Sequence, residues 1–272
     1  MLSEAVVELA TYSVPLFALA LLLSQVVAKE VGYYFGHRRA QREAGAGEGV
    51  GVVVSGMLGM LAFVLALTLS FANTRFQERR QGTLDEANAI GTAWLQAQAI
   101  GHPRGAEVAR LLEEYAAQRR DFVRAGRLDA SVELTTRRSN ALQSEIWGHL
   151  SAIVRERPDP VAASLMNALN TTFDLATAER FAFALTFPAQ LFWLLVGMSA
   201  LSMSALGFQL GLRQKPVRVL TLLMIGMWTA TTTVILDMGS ARVGNFRIGT
   251  QAYEWTIQGF QGGVTIPPAP SR

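Results

Sequence analysis

Four long stretches almost free of charge decide what this chain can fold into: Ala5 to Ala28, interrupted only by Glu8, then Val50 to Phe71, Ala182 to Leu212, and Val219 to Leu236. A helix crosses a hydrocarbon core of roughly 30 Å with about 20 apolar residues. Inside that core every backbone amide and carbonyl must be satisfied within the segment, so each stretch is expected to be a transmembrane helix. The fold expected is all-α and integral to a membrane, with four transmembrane helices and a polar helical insert between the second and third. In residue terms that gives a first helix pair over 1–72, a helical extramembrane domain over 73–180, a second pair over 181–238, and a C-terminal tail over 239–272.

The first apolar stretch does not read as a cleaved secretory signal. Glu4 and Glu8 stand where a signal carries positive charge, and the basic residues Lys29, Arg38, Arg39 and Arg42 follow the stretch instead of preceding it. Those four, with Arg213, Lys215 and Arg218, fall in the two short connections, whereas the insert is charge-balanced. The bias of lysine and arginine towards cytoplasmic loops then places the loops inside and the insert outside. Arg75, Arg79, Arg80, Arg242 and Arg247 lie near membrane ends on the other side and narrow the margin. The chain has no cysteine, which excludes disulfides, thiolate metal sites and cysteine catalysis. A net charge of +3, with arginines of the middle region matched by acids, gives no case for a nucleic-acid partner.

The insert repeats apolar residues at helical spacing, as in Val108, Leu111, Leu112 and Tyr115, or Leu142, Ile146, Leu150 and Ile153, with no alternating strand pattern. Thr83 with Glu86 three residues on has the form of a capping box and predicts a helix start at Leu84. Pro103 suits a first helical turn, and Asp159 before Pro160 suits an N-cap and first position. The helices expected are Leu84 to Ile100, Pro103 to Ala125, Ala130 to Arg155, and one from Pro160 that runs towards the third membrane helix, with Pro188 as kink or restart. The final "GGVTIPPAPSR" reads as a loose tail.

Few features point to chemistry. His37, His102 and His149 lie in separate segments with no carboxylate or second histidine seen at ligand spacing, so no metal site is expected and the histidines read as solvated or capping. No phosphate loop, nucleophile elbow or dinucleotide fingerprint occurs, and no acidic cluster has calcium-loop spacing. Acidic pairs such as Glu113 with Glu114 read as solvated helix faces. No cofactor and no enzymatic activity are expected.

The second membrane helix carries more information. Gly51, Gly56 and Gly59, with Ser55, Ala62, Ala66 and Ser70, form a face of small residues suited to close helix approach. A second face carries Phe63, Leu67 and Phe71 at i, i+4 and i+8. Around a symmetry axis such a ladder makes a hydrophobic constriction, and in a single chain the same ladder faces lipid or a neighbouring helix. The helix then leaves the membrane through "LSFANTRFQERR", Leu69 to Arg80, with no turn residue between the apolar and the arginine-rich halves. Arg75 and Arg79, one turn apart, either form a basic ring that favours anions or anchor the helix by snorkelling and pairing with Glu78 and Glu86. Asp237 closes the fourth helix, either as an ion-pair partner of Arg242 or as an interfacial acid.

Asn73, Thr74, Arg75, Phe76, Glu78, Arg79 and Arg80 stand in an order that resembles the exit of the pore helix in bestrophin anion channels. "DEANAIGTAW", Asp85 to Trp94, and "LDMGSARVGNFRI", Leu236 to Ile248, are similar to segments of the bacterial bestrophin-like membrane proteins over nearly the full chain. The resemblance implies a multi-pass protein of a bacterial inner membrane, and a homo-oligomer, pentameric in the bestrophins, that passes anions through a neck lined by the second membrane helices. Carried over by position, the neck falls on Gly59, Phe63, Leu67 and Phe71, and the mouth on Asn73, Arg75 and Arg79. Gly59 departs from the bulky apolar residue expected there, and the doubled tryptophan of the channel motif is absent. Bestrophins also keep their polar helical region in the cytosol, opposite to the loop-charge expectation. The partners expected are membrane lipid, further copies of the chain, and a permeant ion. The rival expectation is a non-conducting envelope protein whose helical domain binds a partner or senses envelope state.

Overall fold

The computed structural model describes residues 14–42, 47, 49–125, 130–185, 188–240 and 244–265. Regular structure among them is helical throughout: α1 Val14–Ala40, α2 Val50–Ala99, α3 Pro103–Arg124, α4 Ala130–Glu156, α5 Pro160–Ala184, α6 Ala189–Leu212, α7 Arg218–Gly239 and α8 Gln251–Gln261. Four spans each contain an apolar stretch long enough to cross a membrane: Val14–Ala40, the span Val50–Ala99, the span Pro160–Leu212 that holds α5 and α6, and Arg218–Gly239. Glu4, Glu8 and the end of the C-terminal tail lie outside the described residues.

The helix ends obey local chemistry. α2 stops before Gly101, which takes the left-handed φ of +65° that a side chain resists. His102 then caps α3, its Nδ1 accepting from the Arg104 amide at 3.1 Å, with Pro103 in the first turn as expected. The Asp159 carboxylate accepts from the amides of Val161 and Ala162 at the head of α5. Pro188 restarts the chain as the N-terminal flank of α6, since its ring fits the residue before a helix and not its interior.

Thr83 starts no helix. α2 runs unbroken for 50 residues, and the Thr83 hydroxyl donates back to the Arg79 carbonyl at 3.0 Å, which a residue inside a helix can do. The buried residues of α2 recur every three or four positions on either side of a half-buried step at Arg75 and Phe76: Leu61, Leu65, Thr68 and Ala72 before it, and Arg79, Thr83, Glu86, Ile90, Ala93 and Ala97 after it. One stripe of the helix therefore faces its own chain along most of its length.

The chain divides into two compact units. The first holds residues up to Arg75 and Thr186–Phe246, and the second holds Phe76–Leu185 with everything from Arg247 on. In the first, α1 packs along α6 and α7. A Cβ on Gly32 or Gly36 would collide with the backbone of Ser204 or Phe208, and one on Gly207 or Gly211 with the backbone of Lys29 or Tyr33. Glycine at four-residue spacing on both helices lets the two backbones touch. Phe17, Leu21 and Phe192 close one end, and Gln25 donates to the Thr229 hydroxyl at 3.3 Å. On α2 the small face meets less of its own chain: a Cβ at Gly51 would lie 3.0 Å from the Gln209 side chain, and nothing described lies within 4 Å of one at Gly56 or Gly59. α1 also continues past Ala28, so Lys29, Arg38 and Arg39 are helical residues, and Lys29 is buried with its ammonium 2.7 Å from Glu30.

In the second unit, α4 packs against α3 and α5, and the core is built from Leu111, Leu112, Leu142, Ile146, Leu150, Ile153, Leu165 and Leu169. Together with the buried Val108 and Tyr115, these include the periodic positions legible in the sequence. Residues 251–261, expected as part of a tail, form α8 and belong to this core: Phe260 packs on Trp94 at 5.0 Å, and the Thr256 hydroxyl reaches the Ala87 carbonyl at 3.2 Å.

Candidate functional site

The face of α2 opposite its buried stripe is where the residues expected to form a neck lie. Phe63, Leu67 and Phe71 are 63%, 56% and 41% exposed, and Gly59 and Asn73 are exposed on the same helix. The helical repeat produces this arrangement: 100° per residue sets 63, 67 and 71 on one side while 61, 65, 68 and 72 turn inward. Arg75 is half-buried, its guanidinium 5.2 Å from the Phe71 ring.

Arg79 is not at an exposed mouth. It is 3% exposed and donates through Nε to the Ala182 carbonyl at 3.0 Å and through Nη2 to the Leu185 carbonyl at 2.8 Å. These are carbonyls freed at the end of α5, where a positive charge also complements the helix dipole. Asp237 is buried as well. Its carboxylate accepts from the amides of Asn245 at 3.0 Å and Phe246 at 3.5 Å, so it ties down the segment after α7 through backbone groups. Arg242, the partner expected for it, lies outside the described residues.

The densest polar arrangement sits in the second unit and was not foreseen. Arg119 of α3 meets Glu86 of α2, with Nε 2.5 Å from Oε1 and Nη2 3.0 Å from Oε2, and the same Nη2 lies 2.7 Å from Oε2 of Glu179 on α5. The Tyr253 hydroxyl of α8 lies 2.7 Å from Glu86 Oε2 and 2.9 Å from Glu179 Oε2. The Thr83 hydroxyl lies 2.6 Å from Oε1 of Glu179. All five side chains are almost fully buried. They stand in the polar part of the chain, with Glu86 some four turns beyond the apolar half of α2.

Two carboxyls here share one guanidinium. Burial and then the hydrogen bond and charge of Glu86 push Glu179 up to about 8, against the pull of Arg119 and Thr83. For Glu86 burial acts upward too, but the Arg119 charge with the bonds from Glu179, Arg119 and Tyr253 outweighs it and holds the group below its usual range. Near neutral pH the pair therefore carries one negative charge, opposite Arg119, and one proton.

Glu107 of α3 and Glu145 and His149 of α4 bring one ligand atom each within 4.8 Å of one another, a set that could hold a metal ion. Glu145 precedes His149 by four residues on one helix, a spacing visible in the sequence, whereas Glu107 joins them only through the packing of α3 on α4. A cation already stands there: Arg110 bonds Glu107 at 2.6 Å, and Glu107 and Glu145 are solvent-accessible.

Four apolar helical stretches together with a separate helical unit define a multi-pass helical membrane protein. The model of the bestrophin-like domain matches residues 21–253, and the chain belongs to that family. No curated protein and no solved structure matches it.

Proposed function

We propose that the chain is the subunit of a bestrophin-like ion channel, a homo-oligomer that passes anions passively through a neck made by α2. The observation that carries the reading is the aromatic and aliphatic ladder of Phe63, Leu67 and Phe71, exposed on the helix face that its own chain leaves uncovered, in a member of the bestrophin-like family. Copies around an axis would bring these ladders together as a dewetting constriction, and cyclic symmetry, pentameric as in bestrophins, supplies the closure. Gly59 shortens the constriction at one end, and Asn73 with Arg75 makes the polar mouth. Arg79 is spent on the α5 carbonyls. No cofactor or catalysis enters this reading, and the membrane is a bacterial inner membrane. Arg213, Lys215 and Arg218 favour an outward-facing helical unit, although Lys29, Arg38 and Arg39 belong to a helix and weigh less than loop residues.

The test is flux from purified protein in liposomes under chloride and then potassium gradients, beside a mass determination in detergent. Phe63→Ala and Leu67→Ala should change chloride flux several-fold without changing oligomer mass. Silent liposomes from a stable monomer would instead fit the second reading, an anchored protein whose helical unit binds a partner, which the exposed Leu134 and Trp255 of that unit favour.

A further inference from the structure

The Tyr253 hydroxyl has one proton and two carboxyl oxygens within hydrogen-bond distance, Glu86 Oε2 at 2.7 Å and Glu179 Oε2 at 2.9 Å. It can donate to only one of them. If both carboxyls were ionised, the other contact would be lone pair against lone pair in a buried site. The geometry is satisfied when Tyr253 donates to Glu86, which Arg119 grips with two bonds, and Glu179 holds a proton on the oxygen that faces Glu86 and Tyr253. The charge count agrees: two carboxyls face one guanidinium, and an extra buried negative charge is costly.

We propose that this cluster is a pH-responsive latch, in which a proton on Glu179 holds α8 in the core of the helical unit and its release at alkaline pH loosens α8. Tyr253 is the one residue of α8 in the cluster, so repulsion between Glu179 and Glu86 acts directly on its anchorage. The groups that face Glu179 are Glu86 and Thr83 from α2, Arg119 and Tyr115 from α3, and Tyr253 from α8. From α4, Gln143 donates to the Tyr115 hydroxyl at 2.8 Å and adds no charge. Burial, followed by the charge of Glu86, pushes Tyr115 up, and Tyr253 is raised for the same two reasons, so neither phenol competes for the transition. The sign follows from linkage. The folded unit keeps a proton that an unfolded Glu179 gives up in the ordinary carboxylate range, so the latch is firm in acid and weakens as pH rises to about 8.

Hydrogen exchange of the full chain in detergent, corrected for the intrinsic rate of amide exchange, reads the latch without any ion flux, so its outcome is separable from the channel reading. Protection of residues 251–261 should fall by up to about tenfold per pH unit as the pH rises towards 8 and level off above it. Glu179→Gln cannot ionise, so its protection should be flat with pH. Unchanged protection in the parent protein, or the same slope in E179Q, overturns the proposal. Should E179Q fail to fold, the parent protein still decides by infrared spectroscopy. A buried protonated carboxyl band present at neutral pH and lost near pH 9, weakened or displaced in Tyr253→Phe, supports the latch. Absence of that band at neutral pH overturns it.

Discussion

The two units of this protein solve the same problem, holding helices together, with opposite materials. In the first unit α1 and α6 meet through glycine, backbone against backbone, with Gln25 and Thr229 as one polar contact between membrane helices. Lipid is as apolar as leucine, so apolar side chains gain little by meeting one another there, and close van der Waals approach does the holding. The second unit buries a leucine and isoleucine core of the kind that water drives together, and within that core it places two carboxyls, a guanidinium and a phenol. Charges that would be ruinous without partners are tolerated because each is hydrogen-bonded. The first unit is therefore sensitive to added volume and the second to removed charge.

The widest separation between the units should come from Arg119→Ala, which leaves Glu86 and Glu179 facing each other in the core. A loss of about 3–5 kcal/mol is expected for breaking such a buried network. Thermal unfolding of the detergent-solubilised protein, followed at residues 103–185 by proteolysis, would measure it; a stability like that of the parent would mean that water reaches the cluster.

A smaller loss, about 1–3 kcal/mol, is expected from Gly207→Ala, whose Cβ would strike the Lys29 carbonyl. Gly59→Ala, where a Cβ meets open space, is its control, and should leave thermal stability within about 0.5 kcal/mol. Equal losses from both would place the tight face on α2 after all. Gly244→Ala should cost about 1–2 kcal/mol, because Gly244 has a φ of +93° and a side chain there would run into the Asp237 carboxylate. Exchange of the Asn245 amide reports that loss locally; if it exchanges no faster in the variant, the hold of Asp237 on this segment is not what orders it.

Periodicity carried the sequence reading far. Every position of the series Val108 to Tyr115 and Leu142 to Ile153 is buried, and Pro103, Asp159 and Pro188 mark helix starts as their chemistry requires. One local signal has a different role in the fold. Thr83 and Glu86 have the spacing of a helix cap, yet that motif marks a start only where the preceding residues are not helical, and here the helix is already running. Small residues give α2 a face for close approach, but the sequence does not say which helices meet through such faces, and within the chain α1 and α6 do.

What the sequence determined by itself was whatever depends on residues near one another in the chain: the apolar stretches, their length, the helical repeat, and the placing of Phe63, Leu67 and Phe71 on one side of α2 that follows from that repeat. Tertiary structure decided which distant residues share a site. Glu86, Arg119, Glu179 and Tyr253 come from four helices and are separated by tens of residues, and each alone looks like an ordinary side chain of a solvated helix. Their proton and their charge are properties of the meeting, because burial and mutual repulsion arise only once the helices have packed.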